Sequence, residues 1–190
     1  MSRDPIAAEA AALPREPTAR WIRVLVCAVT VVWIVALLWQ VRVLPEQVPT
    51  HFGAGGRPDG WSSRAGALAF SVLLPLVLVY PLPLLSRLAL WSPSLINAPH
   101  RDWWSATAPR LRRFERLVRE DLWLIAMATL GLLLGAEVEI VLAARGSGSG
   151  IGAAGGPLLL VPFLLVVGVV VARMAGSRYA PGAEPDAHTN

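Results

Sequence analysis

The side chains able to do chemistry gather in two places. One is His51, set between Thr50 and Phe52, with Asp59-Gly60-Trp61 following in the same connecting segment. A histidine between these neighbours at a membrane surface could be a hydrogen-bonding post, a proton acceptor or a metal ligand. The plainer reading is that Pro58-Asp59-Gly60 is a turn and Trp61 an interfacial anchor. His51 then either holds the segment, recognises a ligand, or does metal or acid–base chemistry. The second place is Glu137 and Glu139, inside an apolar run. A carboxylate in a membrane span is expensive, so it marks a functional site by default. Glu137 lies roughly 10 Å from the outer end of its run at helical rise. Two carboxylates at i and i+2 point about 200° apart on a straight helix, so both cannot face one site. One could meet His51, Arg42 or Arg57 at the outer surface while the other meets water. Structural pairing and a share in an outward-facing pocket both remain open for Glu137. The ligand-binding candidates are therefore His51, Phe52, Asp59, Trp61 and Glu137.

No catalytic set can be assembled around them. The chain has no glycine loop followed by lysine for nucleotide, no His-Glu-x-x-His and no Gly-x-Ser-x-Gly. His100 and His188 are expected across the membrane from His51, so the three histidines share no metal. We assign no catalytic residue, metal or cofactor.

The elements that position these residues follow from composition. Of 190 residues 55% are hydrophobic and 16% charged, and mean hydropathy is +0.54. That is too apolar for a soluble domain of this size. Four runs reach the length of about 20 residues that a hydrocarbon core requires: Trp21 to Leu44, Ala65 to Trp91, Leu122 to Ala144, and Pro157 to Ala175. Backbone groups in lipid must bond within their own segment, so each is expected to be an α-helix. Pro75, Pro81 and Pro83 should kink or break the second. A polar tail precedes the first run and no small-residue cleavage site follows it, so it reads as a span and not a signal peptide. The single cysteine, Cys27, can form no internal disulfide.

All 17 basic residues are arginine. Thirteen fall in the amino tail, the segment between spans two and three, and the carboxyl tail; four fall on the other side. The positive-inside rule then places both termini in the cytoplasm and the His51 segment outside. The fold class expected is an all-α integral membrane protein with four transmembrane helices, in the bacterial plasma membrane. The net charge of +4 and a pI near 10.5 suit anionic lipid headgroups and not nucleic acid, because the arginines flank apolar spans.

Five stretches divide the chain. Residues 1–20 and 177–190 read as disordered cytoplasmic tails. Residues 21–104 form a unit of two spans and their outer segment. Residues 105–121 read as an amphipathic helix lying on headgroups, with Leu111, Phe114, Leu117 and Val118 on one face and Trp103-Trp104 as its anchor. Residues 122–176 carry the last two spans, joined by a Gly/Ser/Ala linker at 146–156. Gly131 and Gly135 suggest close helix packing, within the chain or between copies.

The segment Leu44 to Ser63 has Pro45, Pro49 and Pro58 to stiffen it and four glycines to turn it, a composition for a segment with a shape of its own. Its Leu44-Pro45, Val48-Pro49-Thr50-His51-Phe52, Gly56 and Asp59-Gly60-Trp61 resemble the signature of a widespread prokaryotic membrane-protein family of unknown function. That signature reads roughly Leu-Pro, Pro-x-His-Phe, Gly, Asp-Gly. Asn97-Ala98-Pro99 with Arg101-Asp102-Trp103-Trp104 is similar to a second, cytoplasmic patch of the family, so Asn97, Pro99, Trp103 and Trp104 are its motif residues here. Arg64 stands where relatives often carry lysine. The resemblance covers about residues 40–104. It implies no catalytic set; the family includes an immunity protein against a sporulation-delaying peptide toxin.

Three functions remain in view. The first is a non-catalytic membrane protein that binds something at its outer segment, as in peptide-toxin immunity or envelope sensing. The second is a membrane enzyme using His51 with Asp59 or a span-three glutamate. The third is a transport or envelope-assembly subunit in which the broken second span and Glu137 line a polar path. The partners this allows are lipid headgroups, a peptide at the outer segment and a second copy of the chain.

Overall fold

The computed structural model describes residues 4–53, 56–146 and 155–182. Most of the linker read at 146–156, the end of the carboxyl tail and His188 lie outside the described residues. A short helix, α1 (Pro5–Ala12), precedes the first long helix, α2 (Arg20–Val43). A hairpin of β1 (Gln47–Phe52) and β2 (Pro58–Ser63) follows, then α3 (Arg64–Leu74). The second span continues through a π-helical turn at Pro75–Val79, a 3-10 stretch at Leu82–Arg87 and α4 (Leu88–Trp91). After α5 (Arg101–Trp104) come α6 (Ala108–Ala144), α7 (Gly155–Ala175) and a 3-10 turn at Ser177–Tyr179.

Four helical stretches are long and apolar enough to cross a membrane, and they match the four runs read from the sequence. At most 22% of any span's apolar window is buried inside the protein. Val31, Val35, Phe70, Val77, Leu165 and Val169 all stand exposed. A surface that apolar needs lipid to cover it. The centre of the bundle is α6, against which α2, the second span and α7 all pack. Three small cores lie along it: Leu44, Val48, Ala67 and Val141 at the hairpin end; Trp33, Val79, Ala126, Met127 and Leu130 in the middle; Trp104, Leu111, Phe114, Leu117 and Tyr179 at the end where the tails meet.

The prolines do break the second span, and the structure shows how the break is tolerated. Pro75 has no N–H to give to the Ser71 carbonyl one turn back. The Trp33 indole, from α2, donates to that carbonyl at 3.2 Å. The Tyr80 amide then bonds the Pro75 carbonyl at 3.1 Å, which is the i to i−5 spacing of a π turn. Further along, the Ser86 hydroxyl lies 2.9 Å from both the Pro83 carbonyl and the Glu115 carboxylate and shares its single proton between them.

Three expectations change. An all-α chain omits the two-stranded sheet; the prolines of β1 and β2 are tolerated because each strand of a hairpin has one free edge. The tail before α2 contains ordered α1: Asp4 caps it, accepting from the amides of Ile6 and Ala7 at 2.9 and 3.3 Å, and Ala7 and Ala10 are fully buried against α4 and α6. The amphipathic stretch of residues 105–121 is not a separate surface helix. One 37-residue helix runs through it into the third span. At 1.5 Å per residue α6 is about 55 Å long, well over a hydrocarbon core of about 30 Å, so much of its first half projects beyond the lipid. Its apolar face is buried by Trp104, Tyr179 and α1, so it needs no headgroup layer to cover it. Gly135 lets α7 approach: a Cβ there would lie 2.3 Å from Leu159, whereas at Gly131 nothing lies within 4 Å.

Candidate functional site

The hairpin is built around His51. Its Nδ1 pairs with the Asp59 carboxylate, both side chains being well exposed. Across the strands His51 faces Gly60, where a Cβ would come within 2.9 Å of the His51 Cβ. A Cβ on Gly53 would sit 3.0 Å from the Asp59 carboxylate. Gly60 is therefore required by close approach to His51, whereas a side chain at Gly53 would need only a small shift of the exposed Asp59 carboxylate. The turn lies elsewhere than the sequence suggested. Pro58-Asp59-Gly60 belongs to β2, and the chain reverses before it, with Gly56 at φ 71° and the Gly53 amide bonded to the Arg57 carbonyl at 2.9 Å. Trp61 is 57% exposed and stands opposite Pro49; Phe52 is half-buried.

Beneath the hairpin lies a cavity of about 380 Å³ between α2, α3 and α6. Thr50 and Ser62 reach it from the strands, and Phe70, Leu74, Leu133 and Ile140 supply apolar wall. Three of its polar side chains form one chain. Ser71 Oγ donates to Gln40 Oε1 at 3.3 Å, and Gln40 Nε2 donates to Glu137 Oε2 at 2.7 Å. The Trp33 bond to the Ser71 carbonyl extends it by one link. Glu137 thus meets Gln40 and not His51, Arg42 or Arg57, and it forms no ion pair among the described residues. Glu139 makes no hydrogen bond or ion pair among them. Gln40 and Ser71 were not singled out from the sequence. The available signal was two polar residues inside apolar runs, where side chains must find partners.

The family described as Domain of unknown function (DUF1648) matches residues 25–78. That stretch opens within α2, contains the whole hairpin and α3, and closes in the π turn, so it holds the His51 pair and two of the cavity's three walls. A protein of Archaeoglobus fulgidus described as uncharacterized is 40% identical over 62 residues, 30% of this chain and 33% of that protein. The shared stretch thus spans about a third of that relative. No solved structure matches the chain. These findings fit a membrane-protein family of unknown function.

The opposite end holds a second polar assembly, one the sequence reading missed. Glu115, Arg119, Glu120 and Asp121 are each no more than 2% exposed. Arg119 Nη1 donates to both oxygens of Glu115 at 2.9 Å, and Ser86 adds a bond to Glu115 at 2.9 Å. Arg119 also reaches the Glu16 carbonyl, at 2.5 Å. Glu120 accepts from the Ala19 amide at 2.8 Å and from Arg178 at 2.6 Å. Asp121 accepts from the Tyr179 hydroxyl at 2.7 Å and from Arg173 at 3.2 Å. Burial, then the neighbouring Asp121 carboxylate, pushes the Tyr179 hydroxyl above its ordinary pKa. The signal available in the sequence was Glu115 and Arg119 at i, i+4.

The second motif borders this assembly. Trp104 is buried and donates its indole N–H to the Tyr179 carbonyl at 3.1 Å, so it is a core residue and not an interfacial anchor. Trp103 is half-buried, with the Arg110 guanidinium 4.3 Å from its ring centre. Asn97 and Pro99 line an apolar groove shared with Phe114, Met174 and Tyr179.

Proposed function

We propose that this chain is a non-catalytic multi-pass protein of the cell membrane that binds a ligand at its hairpin end. That end faces outward, and both tails lie in the cytoplasm, as the arginine distribution favours. Immunity to, or sensing of, a membrane-active peptide is the concrete form. The observation that carries the reading is the hairpin-roofed cavity, whose few polar groups stand in a mostly apolar wall. A small-molecule or peptide site has that composition, whereas a merely structural helix contact would be filled.

The test is a killing assay. The gene is deleted in its own host, and the cells are challenged with concentrated secreted peptides of that host and a panel of membrane-active peptides. The deletion is complemented with wild type, with His51→Ala, and with Ala136→Phe, which would fill the cavity from α6. Equal amounts in the membrane are checked. Sensitivity rescued by wild type but not by Ala136→Phe is the expected result. A deletion strain no more sensitive than its parent to any peptide overturns the immunity form of the reading.

A second reading has one observation in its favour. The Asp59 carboxylate holds His51 by Nδ1, which leaves Nε2 of a largely exposed ring available as a base. This reading expects a hydrolytic activity of the purified protein that His51→Ala removes while the fold persists.

A further inference from the structure

Glu137 is a carboxylate inside the bundle that meets the neutral amide of Gln40 and the Ser71 hydroxyl, with no cation paired to it among the described residues. The acceptors that converge beside it point to what it lacks. Gln40 Oε1 has a lone pair beyond the one Ser71 occupies, Ser71 Oγ can accept while it donates, and the carboxylate has further capacity. All three line the same cavity, and the rest of its wall is mainly hydrocarbon, with Phe70, Leu74, Leu133 and Ile140 prominent.

We infer that the Glu137 cavity takes a primary ammonium group carried on an apolar stem, such as a lysine side chain or the amino terminus of a membrane-active peptide. The inference rests on the binding reading above and supplies the chemical class of its ligand. A primary ammonium has three donors and no acceptor, which fits three convergent acceptors. Its charge meets the one carboxylate, and its stem meets the apolar wall. A fatty acid would set a second carboxylate against Glu137 and leave the acceptors without donors. A divalent cation suits the site poorly, because calcium takes six to eight oxygen ligands and magnesium an octahedron of them.

The probes are two ten-carbon chains with a photoreactive diazirine at one end, one ending in a primary amine and the other in a hydroxyl. The full chain is placed in phosphatidylcholine nanodiscs, whose zwitterionic surface does not concentrate the amine, and labelled sites are mapped by mass spectrometry. The amine is expected to label the Phe70–Leu74 and Leu133–Ile140 peptides at about one-tenth the concentration the alcohol needs, the effect of one charge-assisted hydrogen bond. Decylamine should compete and decanoate should not. Glu137→Gln should erase the preference while labelling by the alcohol persists, and Glu139→Gln should leave it intact. Equal labelling by the two probes in wild type overturns the ammonium assignment and leaves the binding reading standing. So does a preference that survives Glu137→Gln. Labelling of the cavity by neither probe overturns both.

Discussion

The Trp33 bond across the broken second span gives the sharpest test of how this bundle is held. Trp33→Phe keeps an aromatic ring in the middle core but removes the N–H that reaches the Ser71 carbonyl. The loss has two parts: the smaller ring packs less well, and a buried carbonyl loses a donor. Leaving a buried acceptor unsatisfied costs about 1–3 kcal/mol in soluble proteins. Interhelical bonds in membranes measure lower, averaging about 0.6 and reaching about 1.7 kcal/mol. Because Pro75 deprives Ser71 of its helical donor, the upper part of that range applies, and we expect about 1 kcal/mol for the bond itself. Pro75→Ala restores an N–H at the position that bonds Ser71 in an α-helix, so it should relieve the need for Trp33. A double-mutant cycle isolates this part, since the packing loss is common to both backgrounds. The measurement is reversible unfolding in mixed micelles, with near-UV circular dichroism to establish that Pro75→Ala keeps its packing. Trp33→Phe should cost about 1 kcal/mol less in the Pro75→Ala background. Costs equal within about 0.3 kcal/mol would refute the claim that the indole replaces the proline's missing donor.

Three further outcomes are expected. Arg119→Met leaves buried Glu115 with only Ser86 and, at 3.7 Å, Arg112, so it should cost somewhat less than the about 3–5 kcal/mol of a fully orphaned charge, while adding Glu115→Leu should recover much of it, both read by the same unfolding assay. Gly135→Leu should displace the Leu159 side chain of α7 and overpack that contact at a cost of about 1–3 kcal/mol, whereas Gly131→Leu, with open space around it, should be close to neutral. Tyr179 keeps its proton in the folded state above the pH, about 10, at which an unfolded tyrosine loses it. Folding therefore binds a proton there, and stability should fall as pH rises past about 10; an unfolding series over that range should show the slope in wild type and a shallower one in Tyr179→Phe.

Much of the fold could be read from local properties. Hydropathy over 20 residues gives the spans, and a proline lacks its N–H in every context, so the break near Pro75 needed no knowledge of neighbours. The hairpin was legible only as a segment with its own shape. Its turn was misplaced because Asp59-Gly60 has turn chemistry, while Gly60 is in fact needed for close contact with His51. The ordered amino tail had a readable signal, Asp4-Pro5 ahead of an alanine-rich run, which is a capped helix start. Its alanines, prolines and mixed charge argued for disorder instead, and tertiary docking of Ala7 and Ala10 decided the matter.

The sequence by itself determined that this is a membrane protein, how many times it can cross, and where a shaped segment interrupts the apolar runs. Those conclusions rest on what each stretch of chain requires of its solvent. Only the tertiary structure decided that Glu137 meets Gln40 from 97 positions away, that Asp59 closes on His51, and that Arg119 and Glu120 fasten the tail before α2. A buried polar side chain announces that it needs a partner. Which partner it receives depends on how helix faces align in space, and that alignment is a property of the packed bundle.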